Sequence, residues 1–196
     1  KEYDADLIAL SDEEIQALSS LELSGTKKHI RDAFLFACYT GARYSDIYNL
    51  DFRRDIKGGI WYLRVIKTQD IIQIPLLPQA IKILNEYKKA NKFPMISSQK
   101  VNEILKKLAK EAEIITEMKI TRYVGTSRED IVKEKWEFVT FHCARRTFIT
   151  LSLTKGIPSE IVMKISGHKQ YDVFKKYIKF SDQQVAKEFI NKWEKS

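Results

Sequence analysis

The stretch SGHKQYDVFKKYIKF, residues 166–180, sets a Gly-His pair nine residues ahead of a tyrosine with lysines on both sides. Tyr177 continues an apolar stripe through Phe174 and Ile178 at helical spacing, and by that pattern it is a core aromatic. Its phenol is also a potential nucleophile. With an unperturbed pKa of ~10 it needs a base or a cationic surrounding before it can attack anything at neutral pH. What the rest of the chain brings to Tyr177 decides between the two readings.

A length of 196 residues suits one ordinary domain, and 44% hydrophobic residues allow a sizeable core. No apolar run approaches the ~18 to 20 residues of a membrane span, and KEYDADLIALSDEE at the start has no basic-then-apolar leader pattern. A cytoplasmic protein is expected. Cys38 and Cys143 are too few for a disulfide framework and lack paired metal spacing, so reduced thiols are expected. The surplus of 34 basic over 26 acidic residues, a net +8, favours a polyanionic partner, with nucleic acid the first candidate.

Outward from the opening stretch, the pattern is mainly helical. SDEEIQAL, residues 11–18, has a serine N-cap and an acidic first turn, and the apolar run from Ile30 to Tyr39 is stopped near Gly41. A short helix is expected after Ser45. In IWYLRVIKTQDIIQIPL, two β-rich runs at 60–66 and 71–76 flank the polar Lys67-Thr68-Gln69-Asp70, which predicts a hairpin with Lys67 at its turn. A helix follows Pro78, and Val101, Ile104, Leu105, Leu108 and Ala112 form another helical stripe. Residues 118–140 read as irregular strand. Helices resume at ARRTFITLSLTK, end at Gly156, restart after Pro158, and run on through DVFKKYIKF and DQQVAKEFINKW. The expected class is α+β, mainly α, with a small antiparallel sheet, in one domain.

Four local patterns stand out: TGARYSDI at 40–47, the hairpin lysine, FHCARRTF at 141–148, and the opening stretch. Each has a bland account. Arg43 and Asp46 suit a surface pair worth ~0.2 to 0.5 kcal/mol. Lys67 could be a solvated charge, His142 and Arg145 could serve packing, and His168 could cap a helix. Cys143 beside His142 is no thiol-catalysis signal, because helix neighbours point in different directions and no orienting group accompanies them. Together, however, arginine, lysine, histidine-arginine, histidine and tyrosine are a set of groups suited to attacking a phosphodiester.

In that order and spacing the chain resembles the catalytic domain of the tyrosine recombinases, the phage integrase family, from about Leu10 to Phe189. Arg43 fills the arginine of a T-G-x-R-x-S-(E/D)-(I/L) segment, with Asp46 three residues on. Lys67 matches a hairpin lysine, His142 and Arg145 an H-x-x-R pair, and His168 a Gly-His pair. Tyr177 matches the nucleophile. Ala144 and Ser166 replace residues that are commonly leucine, and both are expected to alter core filling without touching a reacting group. The resemblance implies an N-terminal core-binding domain that this chain does not carry.

The roles follow from the resemblance and agree with the chemistry of the side chains. Two arginines, Arg43 and Arg145, can clamp the non-bridging oxygens of a transferring phosphoryl group. His142 would help deprotonate Tyr177, and Lys67 would protonate the departing 5′ oxygen. His168 would bond a phosphate oxygen and Asp46 would support the cluster. The product would be a 3′-phosphotyrosine link that a second 5′-hydroxyl can reverse without ATP. No cofactor is implied and no metal is expected, since no two-metal acidic cluster accompanies these residues and the histidines lack zinc spacing.

Further expected DNA contacts are Lys119, Arg122, Arg146 and Lys169. The implied setting is integration and excision of a phage or conjugative element by a synaptic tetramer on double-stranded DNA, with accessory DNA-bending or excision proteins. Type IB topoisomerase chemistry, telomere resolution and a non-catalytic DNA-binding regulator remain alternatives. In the tail, Val185, Phe189 and Trp193 recur every four residues, predicting an amphipathic helix at about 182–194. Such a helix could complete its own core or dock on a neighbouring protomer.

Overall fold

A computed structural model describes residues 2–3, 8–65, 70–124, 127–172, 174–179, 181 and 186, with side chains left aside at 2–3, 120–124 and 127–130. Its elements in chain order are β1 (Glu2–Tyr3), α1 (Asp12–Ser20), α2 (Gly25–Thr40), α3 (Tyr44–Asn49), α4 (Phe52–Asp55), β2 (Ile56–Lys57), β3 (Ile60–Arg64) and β4 (Ile71–Pro75). After these come α5 (Pro78–Glu86), α6 (Ser98–Glu111), β5 (Glu117–Val124), β6 (Ser127–Glu134), α7 (Phe141–Thr154) and α8 (Ser159–Ser166). Beyond α8 the chain is helical at 171–172, 174–179, 181 and 186. The expected tail helix otherwise lies outside the described residues.

The central element is α2. Every residue from Ile30 to Cys38 is buried, as a helix surrounded by others must be, and α1, α5, α6 and α7 pack around it. The charges that this burial traps are paired. The Asp32 carboxylate accepts from Lys28 Nζ at 2.7 Å, Tyr87 Oη at 2.7 Å and Arg31 Nε at 2.8 Å, while Arg31 also donates to the Leu21 carbonyl. Burial alone would raise the Asp32 carboxyl, but these donors outweigh it and hold it below its ordinary range.

Local signals fix the helix ends. Ser11 Oγ accepts from the Glu14 amide and the Glu14 carboxylate accepts from the Ser11 amide, a reciprocal cap that starts α1 as its sequence implies. Gly41 stops α2 with φ of 70°, and its amide donates to Ala37. At the start of α7 the Phe141 amide donates to Asn102 Oδ1 of α6 at 2.8 Å, and Cys143 Sγ accepts from the Thr140 amide. Cys143 thus caps a helix. Both cysteines are buried free thiols.

The described strands form two three-stranded sheets. The expected hairpin is β3–β4, antiparallel from Ile60↔Pro75 to Arg64↔Ile71, and β2 adds a third strand beside β3. The second sheet corrects the reading of 118–140 as irregular strand. Residues 117–134 make a regular antiparallel ribbon, β5–β6, with β1 paired parallel to β5. Residues 135–138 leave strand geometry for a 3₁₀ turn, because the Lys135 and Trp136 amides turn back to the Thr116 and Ile114 carbonyls. Trp136 Nε1 bonds Glu134, and Lys110 Nζ lies 4.9 Å over the indole ring.

Candidate active site

Gly41 places two of the expected residues at once. By ending α2 in the left-handed region it turns the chain so that Arg43 becomes the N-cap of α3, and it aims its own carbonyl at α7. Arg145 Nη1 donates to that carbonyl at 2.9 Å. A Cβ on Gly41 would lie 2.6 Å from Cδ1 of Phe148, so side-chain space and backbone angle both require glycine here. Asp46 accepts from the Arg43 amide at 2.9 Å. Its carboxylate closes the start of α3 and holds the backbone of Arg43, a structural use for the acidic residue of the 40–47 segment.

Arg145 is 4% exposed, and its second arm, Nη2, lies 3.2 Å from His168 Nδ1. Desolvation first, then the positive charge of Arg43, lowers its pKa to about 10, against the opposing pull of Asp46 and Tyr177. It stays cationic at neutral pH. His168 is pushed from an ordinary 6.5 to about 4, mainly by burial and then by the charges of Arg145, Arg43, His142 and Lys176. His168 is therefore neutral at pH 7. A guanidinium has no acceptor, so Nδ1 meets Arg145 with its lone pair and the ring proton sits on Nε2.

Gly167, left-handed at φ 69°, ends α8 and folds His168 back over it, with the His168 amide on the Met163 carbonyl at 3.0 Å. The imidazole packs edge-on to Phe174, centroids 5.4 Å apart, and lies 6.1 Å from the ring of Tyr177. Tyr177 itself is 5% exposed and shares a small cluster with Ile149, Val162 and Phe174. The ring is thus part of the core, and its neighbours include His168 and the charge of Arg145.

His142 sits exposed on the first turn of α7, one turn before the buried Arg145. Its charge acts on His168. Lys67 falls in residues 66–69, outside the described residues, but the base of that turn is placed. The Val65 amide donates to the Asp70 carbonyl, and the Asp70 carboxylate pairs with Lys169 Nζ at 2.6 Å, next to His168. Ile72 of β4 packs on Gly167, where a Cβ would come within 2.4 Å of its Cδ1. The hairpin is thus docked on the Gly-His turn. Of the expected DNA contacts, Lys169 is exposed and so paired, Arg146 lies on α7, Lys119 lies on β5, and the side chain of Arg122 is outside the described residues.

Sequence reasoning missed Ser166. It was expected only to alter core filling, but its hydroxyl lies 2.8 Å from Nδ1 of His168, one of the expected site residues. The contact exists because the turn at Gly167 brings residue 168 back over residue 166. A hydroxyl residue just before a helix-ending Gly-His was the only signal.

This architecture is that of the catalytic regions of solved recombinases. The chain is similar to XerA recombinase, with a TM-score of 0.64 and 19% identity over 94% of this chain and 64% of that one. It is also similar to a lambda integrase dimer bound to a core site, with a TM-score of 0.60 and 21% identity over 91% and 59%. The chain belongs to the phage integrase family, which it matches over residues 9–184. A probable integrase/recombinase protein of Methanocaldococcus jannaschii is 25% identical over 177 residues, 86% of this chain and 52% of that protein. The chain thus spans about half the length of that curated relative.

Proposed function

We propose that this chain is the strand-cleaving part of a site-specific DNA recombinase that works through a covalent 3′-phosphotyrosine at Tyr177. The observation that carries the reading is the convergence of Arg43, Arg145, His168 and Tyr177, from four separate elements, around one imidazole and one guanidinium. A core with no substrate would have little reason to bury a cation against a neutral histidine and a tyrosine.

In the proposed reaction the Tyr177 oxygen attacks the scissile phosphorus, and the bond to the 5′ oxygen breaks. The phenolic proton leaves toward His142. Arg43 and Arg145 hold the two non-bridging oxygens, and Nε2–H of His168 donates a neutral hydrogen bond to one of them. Lys67 gives the departing 5′ oxygen its proton. A 5′-hydroxyl from a second duplex reverses the sequence, so strands exchange with no net loss of phosphodiester bonds. Asp46 acts through the backbone of Arg43.

Double-stranded DNA is the proposed partner, with Lys119, Arg122, Arg146 and Lys169 as phosphate contacts and a synaptic tetramer as the working assembly. The lambda integrase dimer bound to a core site supports a DNA partner and the association of protomers. Accessory DNA-bending or excision proteins, a nucleoid location and a role in moving a phage or conjugative element complete the proposal. Among the described residues no helix is long and apolar enough to cross a membrane. The test is to incubate the full-length protein with nicked duplexes from candidate attachment sites, in EDTA, and separate products under denaturing conditions. A denaturation-resistant protein–DNA adduct is expected. Binding without an adduct on any site would leave a DNA-binding regulator, and strict dependence on a divalent ion would overturn the metal-free mechanism.

A further inference from the structure

We propose that Ser166 is a positioning residue for His168: its buried hydroxyl donates to Nδ1, and with Arg145 it holds the imidazole as the Nε2–H tautomer facing the substrate phosphate. The proposal rests on the reading of His168 as a phosphate donor. It adds a residue at a position where the family pattern commonly carries leucine, which could make no such bond.

Ser166 is the last residue of α8 and is 2% exposed. Its Oγ lies 2.8 Å from His168 Nδ1, 2.6 Å from the Val162 carbonyl and 3.5 Å from the Met163 carbonyl, so the single hydroxyl proton has three acceptors in reach, the last of them long. The Val162 carbonyl already belongs to the ladder of α8. Arg145 Nη2, 3.2 Å from the same nitrogen, can only donate, so Nδ1 cannot carry a proton without facing a second donor. With Nδ1 an acceptor, the hydroxyl oriented toward it shares the lone pair with Arg145 in a three-centre bond and avoids setting an oxygen lone pair against the nitrogen's. The ring is then held on one edge by two donors, with Phe174 packed against it at an interplanar angle of 65°. The tautomer of a histidine is set by the bond its other nitrogen makes, and here that nitrogen is held from two sides.

The ionisable groups acting on the ring are Arg145 and His142 on α7, Arg43 ahead of α3, and Lys176 beside Tyr177; all of these charges favour the neutral form. A hydroxyl donating to the lone pair of Nδ1 favours it too. Removing the hydroxyl therefore loosens both tautomer and titration without removing a charge.

Full-length protein labelled with ¹⁵N-histidine gives the tautomer and titration midpoint of His168 directly, with no DNA present, the resonance being assigned by its loss in His168→Gln. Wild type and Ser166→Thr, which keeps the hydroxyl, are expected to show Nε2–H with a depressed midpoint. Ser166→Ala is expected to mix the tautomers and raise the midpoint by about half a unit or more. If Ser166→Ala does not fold, Ser166→Cys, with its weak donor, is expected to show the same change. A folded Ser166→Ala or Ser166→Cys with the wild-type tautomer and midpoint overturns the proposal. The underlying reading is checked separately by adduct formation on nicked duplex. A His168→Ala protein that cleaves at the wild-type rate removes the phosphate role of His168, whatever the spectra show for Ser166.

Discussion

Arg145 performs two tasks with one guanidinium, bonding the Gly41 carbonyl with one arm and His168 Nδ1 with the other. Lysine would keep the charge and lose the fork. Arg145→Lys is therefore expected to resemble Arg145→Ala, with strand cleavage down by ~10² to 10³ and duplex binding down far less, measured by adduct kinetics beside a mobility shift. A lysine variant with near-normal cleavage would mean that charge alone matters there. His168 sets a pH dependence of known sign. Its folded pKa of about 4 lies below the ordinary 6.5, so the unfolded chain takes up the proton first as pH falls. The stability held by this group is complete above pH 6.5 and drains away as pH drops toward 4. Thermal melting of wild type and His168→Gln across that window should give a shallower slope for the variant, and parallel slopes would deny His168 the neutral, buried state. At this scale the grouping of Arg43, Arg145, His168 and Tyr177 was legible because the proposed chemistry calls for those side chains at those intervals. Ser166 was not, because its importance depends on a left-handed turn bringing residue 168 back onto it.

Among the elements, the α2–Gly41–α3 corner does the most positioning. It ends a buried helix, supplies the carbonyl that holds Arg145, and presents Arg43. Gly41→Ala would place an L side chain at φ 70° and drive its Cβ into Phe148. A loss of about 1 to 3 kcal/mol in denaturant unfolding is expected, together with slower cleavage through displacement of Arg145. Wild-type stability and rate would show that the corner relaxes freely. The sequence announced this corner through an apolar run halted by glycine, and announced the β3–β4 hairpin through two β-rich runs around a polar turn. The β5–β6 ribbon was hidden for a physical reason. Of the residues whose exposure is described, Met118 alone is buried, so those residues carry no clean apolar alternation. The two-residue β1 and β2 are too short for any periodic signal, and the 3₁₀ turn at Trp136 is set by long-range backbone bonds.

For the whole molecule, the catalytic account depends on residues spread over most of the chain meeting on one face, with the β3–β4 hairpin docked on the Gly-His turn through Ile72 and the Asp70–Lys169 pair. That docking brings the base of the Lys67 turn beside the proposed phosphate site. Lys67→Ala is expected to be slow on a natural 5′-hydroxyl leaving group and largely rescued on a 5′-phosphorothiolate, which needs no proton. Equal impairment on both substrates would remove Lys67 from the acid role. In the proposed reaction Tyr177, packed as a core ring yet adjoining His168 and Arg145, forms the covalent link. Trapping the full-length protein on nicked site DNA, digesting the DNA and the chain, and locating the nucleotide-bearing residue by mass spectrometry tests it most directly. The adduct is expected on Tyr177, absent in Tyr177→Phe and intact in Tyr171→Phe; an adduct on Tyr171, or one that survives Tyr177→Phe, would contradict a Tyr177 nucleophile.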